Sequence, residues 1–117
     1  MSENGLHKRK AWVEWYASNV ESGSIHEAPL PGQAYRCPCC HCRTLSQRAA
    51  FIICPVCFWE DDGQSDTDAD VVRGGANGNL SLTAARQNYI QYGACDPKFA
   101  PNVRPPLPEE TDTEYTI

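Results

Sequence analysis

Two short cysteine turns constrain this chain more than anything else in it. The first reads Cys37-Pro38-Cys39-Cys40 and the second Cys54-Pro55-Val56-Cys57, with thirteen residues between Cys40 and Cys54. Each C-x-x-C turn aims two sulfurs at one point, and two such turns at this separation match the ligand pattern of a four-cysteine zinc site. The intervening span has room for a β-hairpin that would bring the turns together. Cys39 and Cys42 form a competing C-x-x-C, shifted by two residues. The shared C-P-x-C form, in which proline pre-sets the turn, selects Cys37, Cys40, Cys54 and Cys57. Four thiolates complete a tetrahedron, so one structural Zn2+ is expected, with no open position at which to activate a substrate.

The remaining cysteines then need other readings. Cys39 and Cys42 become spare thiols beside the metal, and Cys95 reads as a small buried hydrophobe. His41 follows the first turn at a place often held by glycine, and its default reading is an exposed loop residue. A thioredoxin-type C-x-x-C belongs between a strand and a helix of a βαβ unit, a pattern missing here. A disulfide framework suits secreted chains. Against one stand the odd count of seven cysteines and a polar, charged stretch from Met1 to Lys10 that lacks the apolar run of a signal peptide. No apolar run approaches the roughly 20 residues of a membrane span. A reduced, cytoplasmic protein without membrane contact is the expectation.

Charge narrows the partners. The formal net charge is −5, and four thiolates around one divalent zinc would bring it to about −7. Six carboxylates lie between Glu60 and Asp70 with no base among them, and four more lie from Glu109 to Glu114. Such a field repels phosphate backbones and attracts cationic surfaces. Nucleic acid is therefore disfavoured as a partner, although many zinc ribbons bind it.

Helical spacing of Ala11, Trp12, Trp15, Tyr16 and Val20 predicts a helix from about His7 to Glu21, stopped by Ser22-Gly23-Ser24. Its aromatic stripe is expected to pack on the cysteine module. The basic cluster His7-Lys8-Arg9-Lys10 reads as a solvated helix end. Ala28 to Gly32 forms an extended connector, and Phe51-Ile52-Ile53 a β-rich run entering the second turn. A second helix is predicted from Leu82 to Tyr92, with Ser81 as N-cap, Gly93 as C′ residue, and Leu82, Ala85, Tyr89 and Tyr92 on its apolar face. Beyond Cys95, five prolines predict an extended surface segment. Pro105-Pro106-Leu107-Pro108 matches P-x-x-P spacing but is expected to lie against its own domain. The acidic tail is expected to be mobile. The fold class is thus a small α+β protein: a zinc-ribbon-like β-hairpin core with two flanking helices and a Pro-rich C-terminal segment. Residues 1–34 form an N-terminal helix and connector, and residues 35–117 the cysteine domain.

Other chemistry finds little support. Asp66-Thr67-Asp68-Ala69-Asp70 imitates the start of a calcium loop. Val71 stands where that loop needs glycine, and Asn77 where it needs the bidentate glutamate. The Gly74 to Asn79 run lacks the Lys-Ser/Thr ending of a phosphate loop. His7, His26 and His41 lie far apart, and an enzyme would have to work with carboxylates such as Glu60 and Asp61. No catalytic activity is expected.

Several stretches carry a resemblance. Tyr35-Arg36-Cys37-Pro38-Cys39-Cys40, Ile53-Cys54-Pro55-Val56-Cys57-Phe58-Trp59-Glu60-Asp61-Asp62, Gly74-Gly75-Ala76-Asn77-Gly78 and Ser81 through Tyr89 resemble the bacterial cysteine-rich CPCC family. Gly93-Ala94-Cys95 and Val103-Arg104-Pro105-Pro106 extend the match over roughly residues 35 to 110, leaving the N-terminal helix outside. The family pattern has glycine where this chain has His41, and Cys42 is no part of it. The resemblance implies a small standalone zinc-ribbon-like protein, with some members associated with toxin–immunity loci.

Taken with the closed site and the acidic balance, these features predict a protein that acts by binding another protein, most specifically an immunity or antitoxin-type protein covering a basic toxin domain. Its expected partner face comprises Trp59, Glu60, Asp61, Asp62, Asp66, Asp68 and Asp70. The alternative is a nucleic-acid-binding zinc ribbon using Arg36, Arg43 and Arg48 with the N-terminal basic cluster.

Overall fold

The computed structural model describes residues 3–19 and 32–111. Among these, the elements in chain order are α1 (Glu3–Asn19), β1 (Tyr35–Arg36), β2 (Arg43–Leu45) and α2 (Leu82–Tyr92), with short 3-10 turns at Asp66–Asp68, Gly75–Asn77, Pro97–Asn102 and Pro108–Glu110. The expected helix stop at Ser22–Ser24 and the tail beyond Thr111 lie outside the described residues.

The small α+β architecture is as expected, but the hairpin sits elsewhere. β1 and β2 pair antiparallel, with Tyr35 opposite Leu45 and Arg36 opposite Arg43. They flank the first cysteine turn instead of joining the two turns. Phe51–Ile53 forms no strand; it contributes one bridge, Ile53 to Glu60, which flanks the second turn in the same way. The physical reason lies in the segment's own backbone. Ala49 and Phe51 adopt left-handed φ values of 57° and 58°, which breaks any continuous extended run before Ile53.

α2 has the predicted limits. Ser81 Oγ accepts the Ala84 N–H at 3.0 Å, and Gly93, at φ 84°, closes the helix with its N–H on Tyr89 O. Only glycine adopts that left-handed cap without cost. Leu82, Ala85 and Tyr89 are buried, while Tyr92 is exposed. Replacing Ser81 by alanine removes the cap acceptor and is expected to cost about 1 kcal/mol in urea unfolding at saturating metal. An unchanged midpoint would show that the cap contributes nothing.

α1 begins a turn before His7, and its aromatic stripe does pack inward. Trp12 is buried and donates from Nε1 to Cys40 O at 2.9 Å. Trp15 stacks on Trp12, and Tyr16 on His41 with ring centroids 4.1 Å apart. The basic cluster is more than a solvated end. Arg9 donates to Ile90 O at 3.0 Å and Gln91 O at 3.3 Å, so it supplies a cation to the carbonyl end of α2, where the helix dipole favours one. In the C-terminal segment, Arg104 N–H donates to Pro55 O, and its guanidinium grips Glu110 with two bonds of 2.7 and 2.8 Å. The proline-rich run therefore lies against its own domain.

The core gathers Trp12, Tyr16, Leu45, Val56, Trp59, Ala69, Leu82, Ala85 and Tyr89 around all seven cysteines. No helix among the described residues is long and apolar enough to cross a membrane.

Candidate metal centre

The two cysteine turns are one motif built twice. His41 N–H donates to Cys37 O, and Phe58 N–H to Cys54 O, both at 2.8 Å. Cys37 N–H closes on Cys42 O at 2.8 Å, as Cys54 N–H closes on Trp59 O at 2.9 Å. Inside each turn a backbone N–H points at the leading sulfur: Cys39 N–H at Cys37 Sγ and Val56 N–H at Cys54 Sγ, each 3.4 Å. The residue after each second cysteine is left-handed, with φ 65° at His41 and 70° at Phe58. Each packs its ring against an aromatic neighbour, His41 on Tyr16 and Phe58 on Phe99.

This equivalence explains the spare cysteines. Cys39 stands where the second turn has Val56, and Cys42 where it has Trp59, and all four are buried. Small, buried and apolar in their surroundings, they fill hydrophobic positions. Cys95 does likewise, buried with its N–H on Cys57 O at 2.7 Å. All seven cysteines are free of disulfides.

The leading cysteine of each turn meets the second cysteine of the other. Cys37 Sγ lies 3.5 Å from Cys57 Sγ, and Cys40 Sγ 3.7 Å from Cys54 Sγ. All four sulfurs fall within 4.8 Å of one another, in residues with no exposed surface. A tetrahedral zinc with bonds of about 2.3 Å needs sulfurs about 3.8 Å apart, so the donor set fits a metal ion in type, number and spacing. Burial pushes the Cys37, Cys40 and Cys57 thiols well above their ordinary pKa. Burial also opposes the Cys54 thiolate, but hydrogen bonds from Cys37, Cys40, Cys57 and Thr44 outweigh it and hold Cys54 well below the ordinary value. Crowding four dry thiolates is unfavourable without a cation among them.

His41 is no exposed loop residue. It is buried in its stack on Tyr16 and stays outside the sulfur group. Burial, reinforced by Arg86 and to a lesser degree by Arg36, outweighs the opposing pull of Asp66 and lowers its pKa to about 3. Burial beside two arginines thus favours the neutral imidazole in this stack.

The expected partner face is corrected in part. Trp59 is fully buried, because it occupies the closing position of the second turn. Asp61 is fully buried too, ion-paired to Arg48 at 2.8 Å and accepting the Ala49 and Gly63 N–H groups. Neither can meet a partner in this conformation. Asp62 is nearly covered, Asp68 pairs with Arg73, Asp66 with Arg86, and Asp70 accepts the Thr83 hydroxyl. Glu60 is half-buried, its backbone N–H and C=O both bound by the Asn77 carboxamide. The arginines of the nucleic-acid alternative are also engaged within the fold: Arg36 on His41 O, Arg43 on Ala34 O, and Arg48 on Asp61.

Local sequence gave no sign of Thr44, whose hydroxyl oxygen lies 3.0 Å from Cys54 Sγ, nor of Arg9, Asn77 or the Asp61–Arg48 pair. Each acts across the fold on a residue with no fixed spacing to it. No curated protein and no solved structure matches the chain significantly. The family model described as Cysteine-rich CPCC does match, over residues 35–110 and so over both cysteine turns, α2 and the proline-rich segment, and the chain belongs to that family.

Proposed function

We propose that this is a non-catalytic, zinc-ribbon-like protein whose single Zn2+ is structural and which works by binding another protein. The observation that carries the metal reading is the closed set of Cys37, Cys40, Cys54 and Cys57, fully buried and spaced for tetrahedral coordination. A site with four protein sulfurs and no route to water holds structure. The seven free cysteines are in keeping with a reducing compartment such as the cytoplasm.

The finer reading is an immunity or antitoxin-type protein that covers a basic toxin domain. Its support is the net charge of −5 and the exposed Asp66 and Asp70 beside exposed Val71 and Val72. Those valines, with exposed Phe51 and Ile53, take over the apolar anchoring that buried Trp59 cannot provide. The internal engagement of Arg36, Arg43 and Arg48 favours protein over nucleic acid.

Metal analysis of protein purified under reducing conditions should give one zinc per chain. Capture from the native host should recover a cationic toxin-like domain whose association weakens as salt rises. Recovery of no such domain, or binding indifferent to salt, would remove the immunity reading and leave the metal reading standing.

A further inference from the structure

The four sulfurs are not equally supported. Cys37 Sγ receives one backbone N–H, from Cys39, and Cys54 Sγ receives one from Val56. Among the described residues, Cys54 alone has a hydroxyl donor within reach as well, that of Thr44 at 3.0 Å. Thr44 belongs to β2, the strand leaving the first turn, whereas Cys54 opens the second. The contact therefore joins the two halves of the centre. With a metal bound, Cys54 Sγ is a thiolate and can only accept, so the hydroxyl must donate.

We propose that Thr44 is a positioning residue of the metal centre: its hydroxyl, donating to the Cys54 thiolate, aligns the second turn on the first and sets both metal affinity and the electron density on that sulfur. Groups that orient a metal ligand in this way commonly change affinity by about 10–100-fold when removed. Among the described residues, Cys40 Sγ and Cys57 Sγ are in contact with the facing sulfurs of Cys54 and Cys37, and Thr44 brings the one hydroxyl donor to the group.

This inference rests on the reading of the four cysteines as a metal centre, which the metal content of the wild type tests separately. The decisive comparison uses Thr44→Val, which keeps the shape and deletes the donor, and Thr44→Ser, which keeps the donor. Competition against a chromophoric chelator should show Thr44→Val binding zinc about 10–100-fold more weakly, with Thr44→Ser close to wild type. In the cobalt-substituted proteins the sulfur-to-metal charge-transfer band should move in Thr44→Val and stay in place in Thr44→Ser. Wild-type affinity and an unmoved band in Thr44→Val would overturn the proposal. So would equal losses in both variants, which would assign the effect to side-chain packing. Should Thr44→Val retain no metal at all, a Thr44→Ser variant with wild-type affinity and band supports the hydroxyl's role, and one that also fails overturns it.

Discussion

Serine in place of Cys57 is expected to abolish tight metal retention and, with it, the cooperative fold. Site formation contributes roughly 10–16 kcal/mol in zinc-finger peptides, as much as the whole stability of an ordinary domain at about 5–15 kcal/mol. Here the dependence should be severe. Seven of the sixteen residues of the buried cluster are cysteines, so little aliphatic core would be left to hold α1 and α2 together. Trp12 and Cys95 are also bound to backbone carbonyls of the turns, at Cys40 and Cys57, and would lose their acceptors' positions as the turns relax. Serine at Cys39 is the matched control. That residue occupies the place of Val56, so the variant should retain one metal per chain at a modest cost in stability. Metal content and the far-ultraviolet circular dichroism melt of both proteins, with and without a chelator, give the result. A Cys57→Ser protein that melts like the wild type, or a Cys39→Ser protein that loses its metal, would show the ligand set to be misassigned.

The contrast between those two variants also marks what local sequence can carry. Which four cysteines gather is legible because C-P-x-C is a short-range instruction: proline sets the turn, and the spacing sets where two sulfurs point. α2 was legible for the same reason, since Ser81 and Gly93 act on backbone groups within four residues of themselves. The place of the hairpin is not legible, because a thirteen-residue span accommodates several pairings. What decides among them is the left-handed backbone at Ala49 and Phe51, neither of them a residue that announces such a conformation. Trp59 and Asp61 read as surface residues because they open a polar run. Trp59 was drawn inward by its place in the second turn, Asp61 by Arg48, thirteen residues earlier in the chain. The stretch from Glu60 to Asp70 looked like an unbalanced acidic field because its counter-charges, Arg48, Arg73 and Arg86, come from outside it.

Asp61 should accordingly be the most sensitive position outside the metal ligands. Its carboxylate has no exposed surface, and both oxygens are committed: Oδ2 to Arg48 Nε at 2.8 Å and Ala49 N–H at 2.7 Å, Oδ1 to Gly63 N–H at 3.1 Å. Its backbone is committed as well, taking the Phe51 N–H and donating to Ile52 O. The residue thus fastens the irregular run before Cys54 to the segment after Cys57. Deleting the side chain in Asp61→Ala removes the counter-charge of a mostly buried guanidinium, which keeps its bond to Gln64 O, and the acceptor of two backbone donors. Removing one partner of a buried ion pair costs about 3–5 kcal/mol, and urea unfolding at saturating metal should show a loss of that size. Arg48→Ala should be comparably harmful, because it strands a buried carboxylate, and the double variant should lose less than the two single losses together. Asp68→Ala, which breaks a partly exposed ion pair to Arg73 and removes the acceptor of the Ser65 N–H, should cost less, about 1 kcal/mol, as the loss of a surface pair and a turn cap does. Were Asp61→Ala no worse than Asp68→Ala, the carboxylate would be a bystander, and the left-handed turn at Ala49 would have to be held by something other than its bond to Asp61.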